Sequence, residues 1–372
     1  MKKLIIIVST LLLLLSCSHE EKTTGDNVIF VDYENDKQDI VFNYSDFLDS
    51  VKYVPLETTD SCLIGNIKDI HFVNNQFYVS DNRSVFVFSR EGKFIGKVSR
   101  FGRGHGEYVN LTYFDVNKTN GEICIYDQGH GMVHIYTEKG DFLRNVRIEG
   151  IARDFAVLPN GHFLFYTPDV IPENYRGVWQ TDENGNFVNQ PVVLSDKCEK
   201  VVLMNNNLVH LNDSEIGLLG PMGFDNIYHV STDTTYIAYT IETDFTIPRK
   251  ILKMDDSEAL PQTGSYVLTK YQETDNLVSL IMIGMGVKQK TIIYDKTTER
   301  VYHRTSYQDN REPTFFEWGK KVPVFLPIFR SDYGICFGYS TATMLMKMSN
   351  CSIVAPNCTE DSNPILCLYY FK

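Results

Sequence analysis

The chain has 372 residues, of which 43% are hydrophobic and 22% are charged, and its 47 acidic side chains against 35 lysines and arginines give a formal net charge of −12. This length and apolar fraction are sufficient for a large buried core. The acidic balance argues against a nucleic acid partner, because affinity for nucleic acid depends on Lys and Arg side chains that neutralise phosphates.

The N-terminal segment is typical of a bacterial export signal. Lys2 and Lys3 precede an apolar run over residues 4–15. That run is shorter than the about 20 residues that a membrane-spanning helix needs. It ends in the sequence LLSC, which resembles the bacterial lipobox, whose cysteine is acylated and becomes the mature N-terminus. The sequence therefore predicts a signal peptide over residues 1–16 and a lipid on Cys17.

The segment after Cys17 is predicted to be a lipidated flexible tether over residues 17–39. Its first residues, SHEEK (18–22), resemble a weak form of the acidic tag that directs Bacteroidetes lipoproteins to the outer face. A plain solvated tether is the alternative. More than one acyl chain would make the attachment stable. We expect an outer membrane lipoprotein that is either periplasmic or surface-exposed, with the membrane as a partner through the lipid on Cys17.

The eight cysteines fall into groups with different expected roles. Cys124, Cys336 and Cys367 lie in apolar, strand-like runs and are predicted to be small core residues. Cys351 and Cys358 flank a polar loop, so a disulfide and two free thiols remain open alternatives. The sequence has no CxxC motif, which argues against a cysteine-built zinc site.

The middle of the chain repeats a hairpin pattern, in which an alternating apolar strand, a short polar turn and a second strand follow one another. The hairpins cover residues 85–98, 133–146, 178–194, 227–241 and 291–305. Their turns are marked by Gly92, Gly140, Gly185, Thr234 and Thr297, at separations of 48, 45, 49 and 63 residues. Such spacing implies a recurring unit with room for four strands of about 6 residues. The pattern favours propeller blades over sandwich strand pairs.

The two ends of the chain are predicted to close a ring. Residues 333–348 and 364–372 form a last unit whose outer strand is missing, and residues 51–58 are the natural candidate to supply it. One plausible helix, 248–260, lies in the longest interval, where an insertion between blades would fall. The sequence predicts an all-β fold, a six-bladed β-propeller over residues 40–372 with four-stranded antiparallel blades, closed by an N-terminal strand in the last blade.

Residues 77–116, FYVSDNRSVFVFSREGKFIGKVSRFGRGHGEYVNLTYFDV, resemble an NHL repeat, in which strands, an Asp, a glycine turn and a glycine-rich bend follow in order. Together with VPLETTDSCLIGNIKDI (54–70) and NPILCLYYFK (363–372), they are similar to the six-bladed β-propeller lipoproteins of gut Bacteroidetes. The resemblance is strong in the first three blades and at both ends, and loose over residues 195–330. The resemblance implies a propeller fold and a location in the cell envelope. The family has no generally established activity.

The bend FGRGHGEY (101–108) is the most conspicuous short motif. Its glycines do not match the dinucleotide fingerprint, and no phosphate-loop Lys-Ser/Thr follows. We interpret the bend as a crossing between blades, whose glycines allow a sharp path with positive φ. NHL-like proteins commonly have proline at the position of His105. The His105 side chain could still point into the channel mouth, but a histidine beside Glu107 on a bend is more typically solvated.

Other candidate site residues are scattered. His130 and His134 are four residues apart, a spacing that pairs metal ligands on a helix, whereas this stretch predicts a turn and a strand. Asp81 and Asp127 end equivalent strands and are expected to cap the turns that follow. Six-bladed lactonases and related hydrolases hold a divalent ion through Glu, Asn and Asp at the channel mouth, and Asp127 is a candidate for such a role. Trp179, Trp318 and Tyr175 could stack against a sugar ring.

Two functions remain open at this point. The first is a membrane-anchored binding or scaffold module for a glycan, a peptide or an envelope protein, without a cofactor. The second is a hydrolase or lyase that depends on Ca²⁺ or Zn²⁺ at the channel mouth. No catalytic residue and no metal ligand is assigned, so enzymatic activity stays undecided. The candidate ligand-binding residues are His105, Glu107, Asp127, His130 and Trp318.

Overall fold

The computed structural model describes residues 27–31, 44–168, 175–194, 208–220, 226–243, 266–284, 288–307, 328–348 and 351–372. The predictions for the signal peptide, for Cys17, for a helix over 248–260 and for Trp318 lie outside these residues.

The described residues form strands with only three short helices. In chain order the strands are β1 Val28–Val31, β2 Leu48–Pro55, β3 Asp69–Val73, β4 Gln76–Ser80, β5 Val85–Ser89, β6 Phe94–Val98, β7 Tyr113–Val116, β8 Ile123–Asp127, β9 Met132–Tyr136, β10 Phe142–Arg147, β11 Asp154–Val157, β12 Phe163–Thr167, β13 Gly177–Thr181, β14 Phe187–Val193, β15 Leu208–His210, β16 Glu215–Leu219, β17 Asn226–Ser231, β18 Thr235–Thr243, β19 Tyr266–Glu273, β20 Leu277–Gly284, β21 Lys288–Asp295, β22 Arg300–Tyr307, β23 Ile328–Asp332, β24 Ile335–Ser340 and β25 Ile365–Phe371. The helices, of four residues each, are Tyr44–Phe47, Ala342–Leu345 and Cys351–Val354. No helix in the described part of the chain has the length and apolar character to cross a membrane.

All strands except β1 form six four-stranded antiparallel units that are the blades of a propeller, as the sequence predicted. Blade 1 is β3–β6, blade 2 is β7–β10, blade 3 is β11–β14, blade 4 is β15–β18, blade 5 is β19–β22, and blade 6 contains β23, β24, β25 and β2. The first strands of successive blades contact one another, which shows that the first strand of each blade lies nearest the propeller axis.

Blade 6 closes the ring with strands from both ends of the chain. β2 pairs antiparallel with β25 in the register Lys52↔Leu368 and Tyr53↔Cys367. The predicted closure by an N-terminal strand is therefore confirmed. This pairing removes the exposed edge that an open ring would leave.

Blade 4 has a fifth strand that the sequence did not predict. Val28–Val31 forms β1, which pairs in parallel with β18, and Ile29 and Val31 are fully buried in the adjoining core. These residues lie inside the segment that was expected to be a flexible tether. The apolar alternation Val-Ile-Phe-Val, with two side chains on the buried face, explains why this part of the segment joins the sheet.

The hydrophobic core lies between blades. Each of the six clusters of buried apolar side chains combines residues from two neighbouring blades, and together they cover all six interfaces. The middle strands β8 and β13 are therefore buried at every residue, whereas the outer strands β10 and β14 are mostly exposed. Cys124, Cys336 and Cys367 are buried, as predicted, while Cys351 and Cys358 are free thiols.

The glycine turns of blades 1 to 3 adopt positive φ, with values of 82° at Gly92, 89° at Gly140 and 88° at Gly185. Each turn also presses against the outer strand of the preceding blade. A Cβ atom on Gly92 would lie 2.3 Å from the Pro55 carbonyl oxygen, and one on Gly140 would lie 2.2 Å from that of Lys97. Glycine is therefore required both by the backbone conformation and by the approach of the neighbouring blade.

Blades 4 and 5 replace this glycine by side chains that cap the turn. The Thr234 N–H donates to Ser231 Oγ at 3.0 Å, and the Thr297 N–H donates to Asp295 Oδ1 at 2.9 Å. Ser and Asp side chains stabilise such turns without a glycine, and in blade 5 the positive φ falls on Glu299, at 56°. This difference explains why the repeat is weak in this part of the sequence.

Candidate functional site

The axis of the propeller is lined by charged side chains from the inner strands. An inner strand is the edge of its sheet, so some of its N–H groups have no partner within the blade. Asp115 Oδ2 accepts the N–H of Val157 at 2.7 Å, and Asp154 Oδ2 accepts the N–H of Leu208 at 2.9 Å. These carboxylates join blade 2 to blade 3 and blade 3 to blade 4.

Asp332 makes the corresponding link from blade 6 to blade 1. Its Oδ2 accepts the N–H of Phe72 at 3.3 Å, and its Oδ1 accepts the Nε–H of Arg330 at 2.9 Å. Arg330 also donates from Nη2 to the Leu208 carbonyl at 3.0 Å, so its guanidinium reaches across the axis to blade 4. Buried charges of this kind need partners, and these have them.

His71 lies at the centre of this group with 1% of its surface exposed. Its Nδ1 is 3.4 Å from Asp115 Oδ1, and its Nε2 is 3.5 Å from Asp69 Oδ2. Burial and the nearby Arg330 lower the pKa of His71, but the carboxylates of Asp332, Asp69 and Asp115 outweigh them and raise it to about 10. His71 is therefore an imidazolium at neutral pH. We call Asp69, His71, Asp115, Asp154, His210, Arg330 and Asp332 the axial cluster.

One end of the channel is closed by side chains from three blades. The ring of Tyr333 stacks on His210, with centroids 5.0 Å apart, and His210 Nε2 is 2.7 Å from Asp115 Oδ2. Lys118 Nζ lies 4.0 Å from the centroid of Tyr333 and pairs with Asp213. Tyr333, Lys118 and Asp213 come from the first turns of blades 6, 2 and 4, so this stack covers the axial cluster.

Among the residues that the structure describes, two groups of side chains could hold a metal ion, and the axial cluster contains one of them. The ligand atoms of His71, Asp115 and His210 lie within 4.8 Å of one another, and all three residues are buried. However, Asp115 Oδ2 already accepts the Val157 N–H and contacts His210, and the Arg330 and His71 cations are close by. This arrangement favours a structural ion cluster over a cation site.

A second buried charge cluster joins blades 4 and 5, centred on the Glu273 carboxylate. His229 Nε2 lies 3.1 Å from Glu273 Oε2, Tyr239 donates its hydroxyl to Oε1 at 3.2 Å, and Lys296 Nζ donates to Oε1 at 2.5 Å. The Tyr271 hydroxyl donates to Oε2. Burial raises the pKa of Glu273, but His229 and Lys296 outweigh it and lower the value. Because both carboxylate oxygens have donors, this cluster is well suited to a structural role.

The second group of metal-ligand type is formed by Asp127, His130 and His134, which we call the Asp127 cluster. His130 Nδ1 lies 3.1 Å from Asp127 Oδ2, and His134 Nε2 lies 4.0 Å from the same oxygen. The ligand atoms of all three residues lie within 4.8 Å of one another. The expectation that the turn and strand would keep His130 and His134 apart is therefore wrong. The turn after β8 brings the His130 side chain next to that of His134 in β9.

Asp127 is the fixed member of the Asp127 cluster. Its Oδ2 accepts the Val109 N–H at 2.9 Å, and its Oδ1 accepts the His130 N–H at 3.3 Å. Asp81, at the equivalent position of blade 1, accepts the N–H groups of Arg83 and Ser84 at 2.8 Å each. The predicted turn-capping role of both aspartates is confirmed.

His134 differs from its neighbours because its ring is buried without hydrogen bonds. It is 3% exposed, and neither ring nitrogen has a hydrogen-bond partner. Burial lowers the pKa of His134 and the nearby Asp127 opposes this shift, but the net direction is downward. The imidazole is therefore neutral at pH 7 and has a lone pair available.

The bend over 101–108 is stabilised by the side chain of Glu107, which lies within it. Glu107 Oε2 accepts the Gly104 N–H at 2.7 Å and lies 2.1 Å from the position of a Cβ atom on Gly102. Of the three glycines only Gly106 has positive φ, at 68°, so the predicted positive-φ path holds at this position and not at Gly102 or Gly104, where an added Cβ atom would meet the end of the Glu107 side chain. His105 is exposed and packs edge to face on Phe142, with ring centroids 5.0 Å apart. The structure thus places Glu107 in the bend itself, while bringing Asp127 and His130 together.

The aromatic residues considered as sugar platforms are placed differently from that expectation. Trp179 is fully buried, stacks on Phe165 at 4.4 Å and donates its indole N–H to Thr167 Oγ1 at 3.0 Å. Tyr175 stacks on Phe187 at 4.5 Å. Trp179 is therefore a core residue, and a stacking role for it is wrong.

A polar cleft opens between blades 2 and 3. Its volume is about 260 Å³, and the first turns of both blades form its rim. The polar lining includes Asn120, Glu122, Arg144, Asn160 and Glu183, and the buried Phe163 lies beneath. Amide and carboxylate groups side by side can both donate to and accept from hydroxyl groups of a ligand. We call this the blade 2–3 cleft.

Sequence analysis missed the axial cluster and this cleft. A signal for the axial cluster was present, because the first strands of several blades carry a charged or histidine residue inside an apolar run, as in Asp-Ile-His-Phe-Val of β3 and Leu-Val-His of β15. The cleft had no such signal, since its lining comes from turns about 40 residues apart.

A family model described as "Domain of unknown function (DUF4934)" matches residues 26–370. A comparison with curated proteins finds no match. Among solved structures, a protein of Bacteroides fragilis described as exported superposes with a TM-score of 0.73 at 20% identity, covering 93% of this chain and 99% of that one. A member of the DUF4221 family from Bacteroides vulgatus gives a TM-score of 0.47 at 9% identity, covering 87% and 97%. The first of these supports the fold.

Proposed function

The chain belongs to the DUF4934 family, and we propose that it is an exported, membrane-anchored envelope protein whose propeller is a binding or scaffold module. The observation that carries this proposal is that paired side chains fill the axis of the propeller. Asp115, Asp154 and Asp332 hold neighbouring blades together, and Tyr333 with Lys118 covers one channel end. The axial charges are therefore engaged in the fold, which leaves ligand recognition to surface features such as the blade 2–3 cleft.

The anchoring part of the proposal rests on the N-terminal sequence. Lys2, Lys3 and the apolar run before Cys17 support export and lipidation. The description of the Bacteroides fragilis protein as exported supports the same envelope location. An outer membrane lipoprotein, facing either the periplasm or the exterior, follows from this proposal.

The ligand class that suits the blade 2–3 cleft is a small, hydroxyl-rich unit such as one sugar of a glycan. The cleft presents the side chains of Asn120, Glu122 and Asn160 near an apolar base. Its volume of about 260 Å³ lies just below the range of about 300–1,000 Å³ that is usual for ligand pockets, which suits a small unit. A peptide or an envelope protein are the other partners, and they would contact a larger surface.

An array of glycans and peptides, probed with the purified protein, tests this proposal. We expect binding to a small set of glycans. Binding to peptides alone would replace the glycan by a peptide ligand, and an array without any signal would overturn ligand binding and leave only the scaffold role.

The alternative of a hydrolase or lyase at the channel mouth is favoured by one observation, the proximity of His71, Asp115 and His210. Against it stand the burial of all three side chains and the cover formed by Tyr333 and Lys118. Hydrolysis of ester, lactone or glycoside substrates that disappears in a His210→Ala variant, with folding preserved, would establish this alternative instead.

A further inference from the structure

We propose that Asp127, His130 and His134 form a binding site for one divalent transition-metal ion of the Zn²⁺ type. The inference does not depend on the proposed binding function, because the site lies at the second turn of blade 2, away from the first turns that form the rim of the blade 2–3 cleft.

The distances suit an ion held by two imidazoles and one carboxylate. Zinc bonds to His nitrogen and carboxylate oxygen are about 2.0–2.2 Å long, and tetrahedral geometry then separates ligand atoms by about 3.3–3.5 Å. Asp127 Oδ2 lies 3.1 Å from His130 Nδ1 and 4.0 Å from His134 Nε2. These two separations bracket the tetrahedral value, and the ligand atoms of all three residues lie within 4.8 Å of one another, a range from which side-chain rotations can bring them to one centre.

The buried ring of His134 is the independent observation that points to a ligand. Buried polar groups almost always have hydrogen-bond partners. Neither nitrogen of His134 has one, although the ring is 3% exposed and its Nε2 faces the Asp127 carboxylate. The surrounding rings of Tyr108 and Tyr136, with centroids 6.5 Å away, supply packing. A metal ion would give Nε2 the partner that it lacks.

The backbone positions the carboxylate as in established metal sites, where ligand carboxylates are themselves hydrogen-bonded. Asp127 Oδ2 accepts the Val109 N–H and Oδ1 accepts the His130 N–H. The His130 side chain is 41% exposed, which gives an ion a route from solvent. Three protein ligands with a solvent route leave a coordination position for water or for a group of a partner.

The ligand set also predicts which ions bind. Imidazole nitrogen suits Zn²⁺, Ni²⁺ and Cu²⁺, whereas Ca²⁺ and Mg²⁺ prefer a shell of oxygen atoms. We therefore expect Zn²⁺ to bind and Ca²⁺ not to compete. Co²⁺ should replace Zn²⁺ and report the coordination number through its visible absorption.

The test uses the purified chain, stripped with a chelator and titrated with Zn²⁺ by calorimetry. We expect one Zn²⁺ per chain, with at least 10-fold weaker binding in His130→Ala, whose exposed side chain can be removed without a cavity in the core. His134→Ala should show the same loss. His105→Ala, which removes an exposed histidine of the adjoining bend, is the matched control and should bind Zn²⁺ normally.

Several outcomes would overturn the proposal. Less than about a tenth of an equivalent of Zn²⁺ in the unaltered protein, with no shift in melting temperature on adding the ion, would show that there is no site. One equivalent that is retained in His130→Ala would place the ion elsewhere. Circular dichroism of each variant separates loss of binding from loss of folding.

Discussion

His71 of blade 1 and Asp332 of blade 6 meet at the propeller axis, with His71 Nδ1 3.3 Å from Asp332 Oδ2. The two residues are 261 positions apart in the chain, and both are almost completely buried. Since the same Asp332 oxygen accepts the Phe72 N–H, the contact joins the last blade to the first at the centre of the ring, as β2 does at the rim.

Asp332→Ala should destabilise the fold strongly. The change leaves His71 and Arg330 buried with one carboxylate fewer, and breaking a buried ion pair in this way costs about 3–5 kcal/mol. We expect a decrease of that size in the free energy of unfolding, measured by urea denaturation. Asp213→Ala is the matched control, because Asp213 pairs with Lys118 while 80% exposed, and its loss should cost less than about 1 kcal/mol. Equal effects of the two changes would contradict a structural role of the axis.

The stability of the protein should decline at alkaline pH through His71. Its pKa is about 10 in the folded protein against 6.5 for an ordinary histidine, so the folded state holds this proton more tightly. The stabilising contribution is fully present below pH 6.5 and is lost as the pH rises towards 10. Urea midpoints measured from pH 6 to pH 10 check this, and a His71→Asn variant should lack the decline. The same profile in the unaltered protein and in His71→Asn would show that His71 is neutral.

The acid side of the same profile should reflect Asp115. Burial raises the pKa of Asp115, but the His210 and His71 imidazoles outweigh it and hold the value at about 2, below the ordinary 3.8. Its contribution is therefore present above about pH 4 and is lost as the pH falls towards 2. Asp115→Asn should flatten this limb of the curve, provided that circular dichroism shows a folded protein at neutral pH.

Cys17→Ala should release the protein from the membrane fraction. Without the cysteine no acyl chain can be attached, and the described part of the chain contains no helix able to span a membrane. Fractionation of cells followed by immunoblotting measures the change, with Cys62→Ala as a control that alters a cysteine outside the N-terminal segment. Tight membrane association of Cys17→Ala would show that the lipobox interpretation is wrong.

Gly106→Ala and His105→Pro should have opposite outcomes. A Cβ atom on Gly106 would lie 2.6 Å from the ring of Phe142, at a backbone φ of 68°, so alanine should lower the free energy of unfolding by about 1–3 kcal/mol.

His105 is exposed, and proline at this position should be tolerated with little change in melting temperature. Loss of ligand binding in a folded His105→Pro variant would reverse the conclusion that the bend is structural.

Glu122→Ala should weaken binding of any glycan identified on the array. The carboxylate lines the blade 2–3 cleft, and a hydrogen bond to a charged group is worth about 1.5–3 kcal/mol, which corresponds to at least a 10-fold loss of affinity. Asp233→Ala, which removes an exposed carboxylate from a turn of blade 4, should leave the affinity unchanged. If both variants bind like the unaltered protein, the ligand lies outside this cleft.

Much of the architecture follows from the sequence because its determinants are local. Alternating apolar residues and turns at Gly92, Gly140 and Gly185 define hairpins within about 15 residues of chain, and their spacing indicates the number of strands per blade. The same local logic identified the turn-capping Asp81 and Asp127 and the strand that closes blade 6. The fifth strand of blade 4 was not predicted, because four residues are too few to show a reliable alternation of buried and exposed side chains.

The functional chemistry was decided only by the tertiary structure, because it depends on groups that are distant in sequence. The Phe72 N–H and the Asp332 carboxylate meet across 260 residues, and no local pattern shows that the inner strands converge on one axis. Even His130 and His134, four residues apart, join Asp127 only through the exact path of a turn beside a strand. Periodicity determines which side chains are buried, whereas the pairing of buried charges is determined by how the blades pack around the ring.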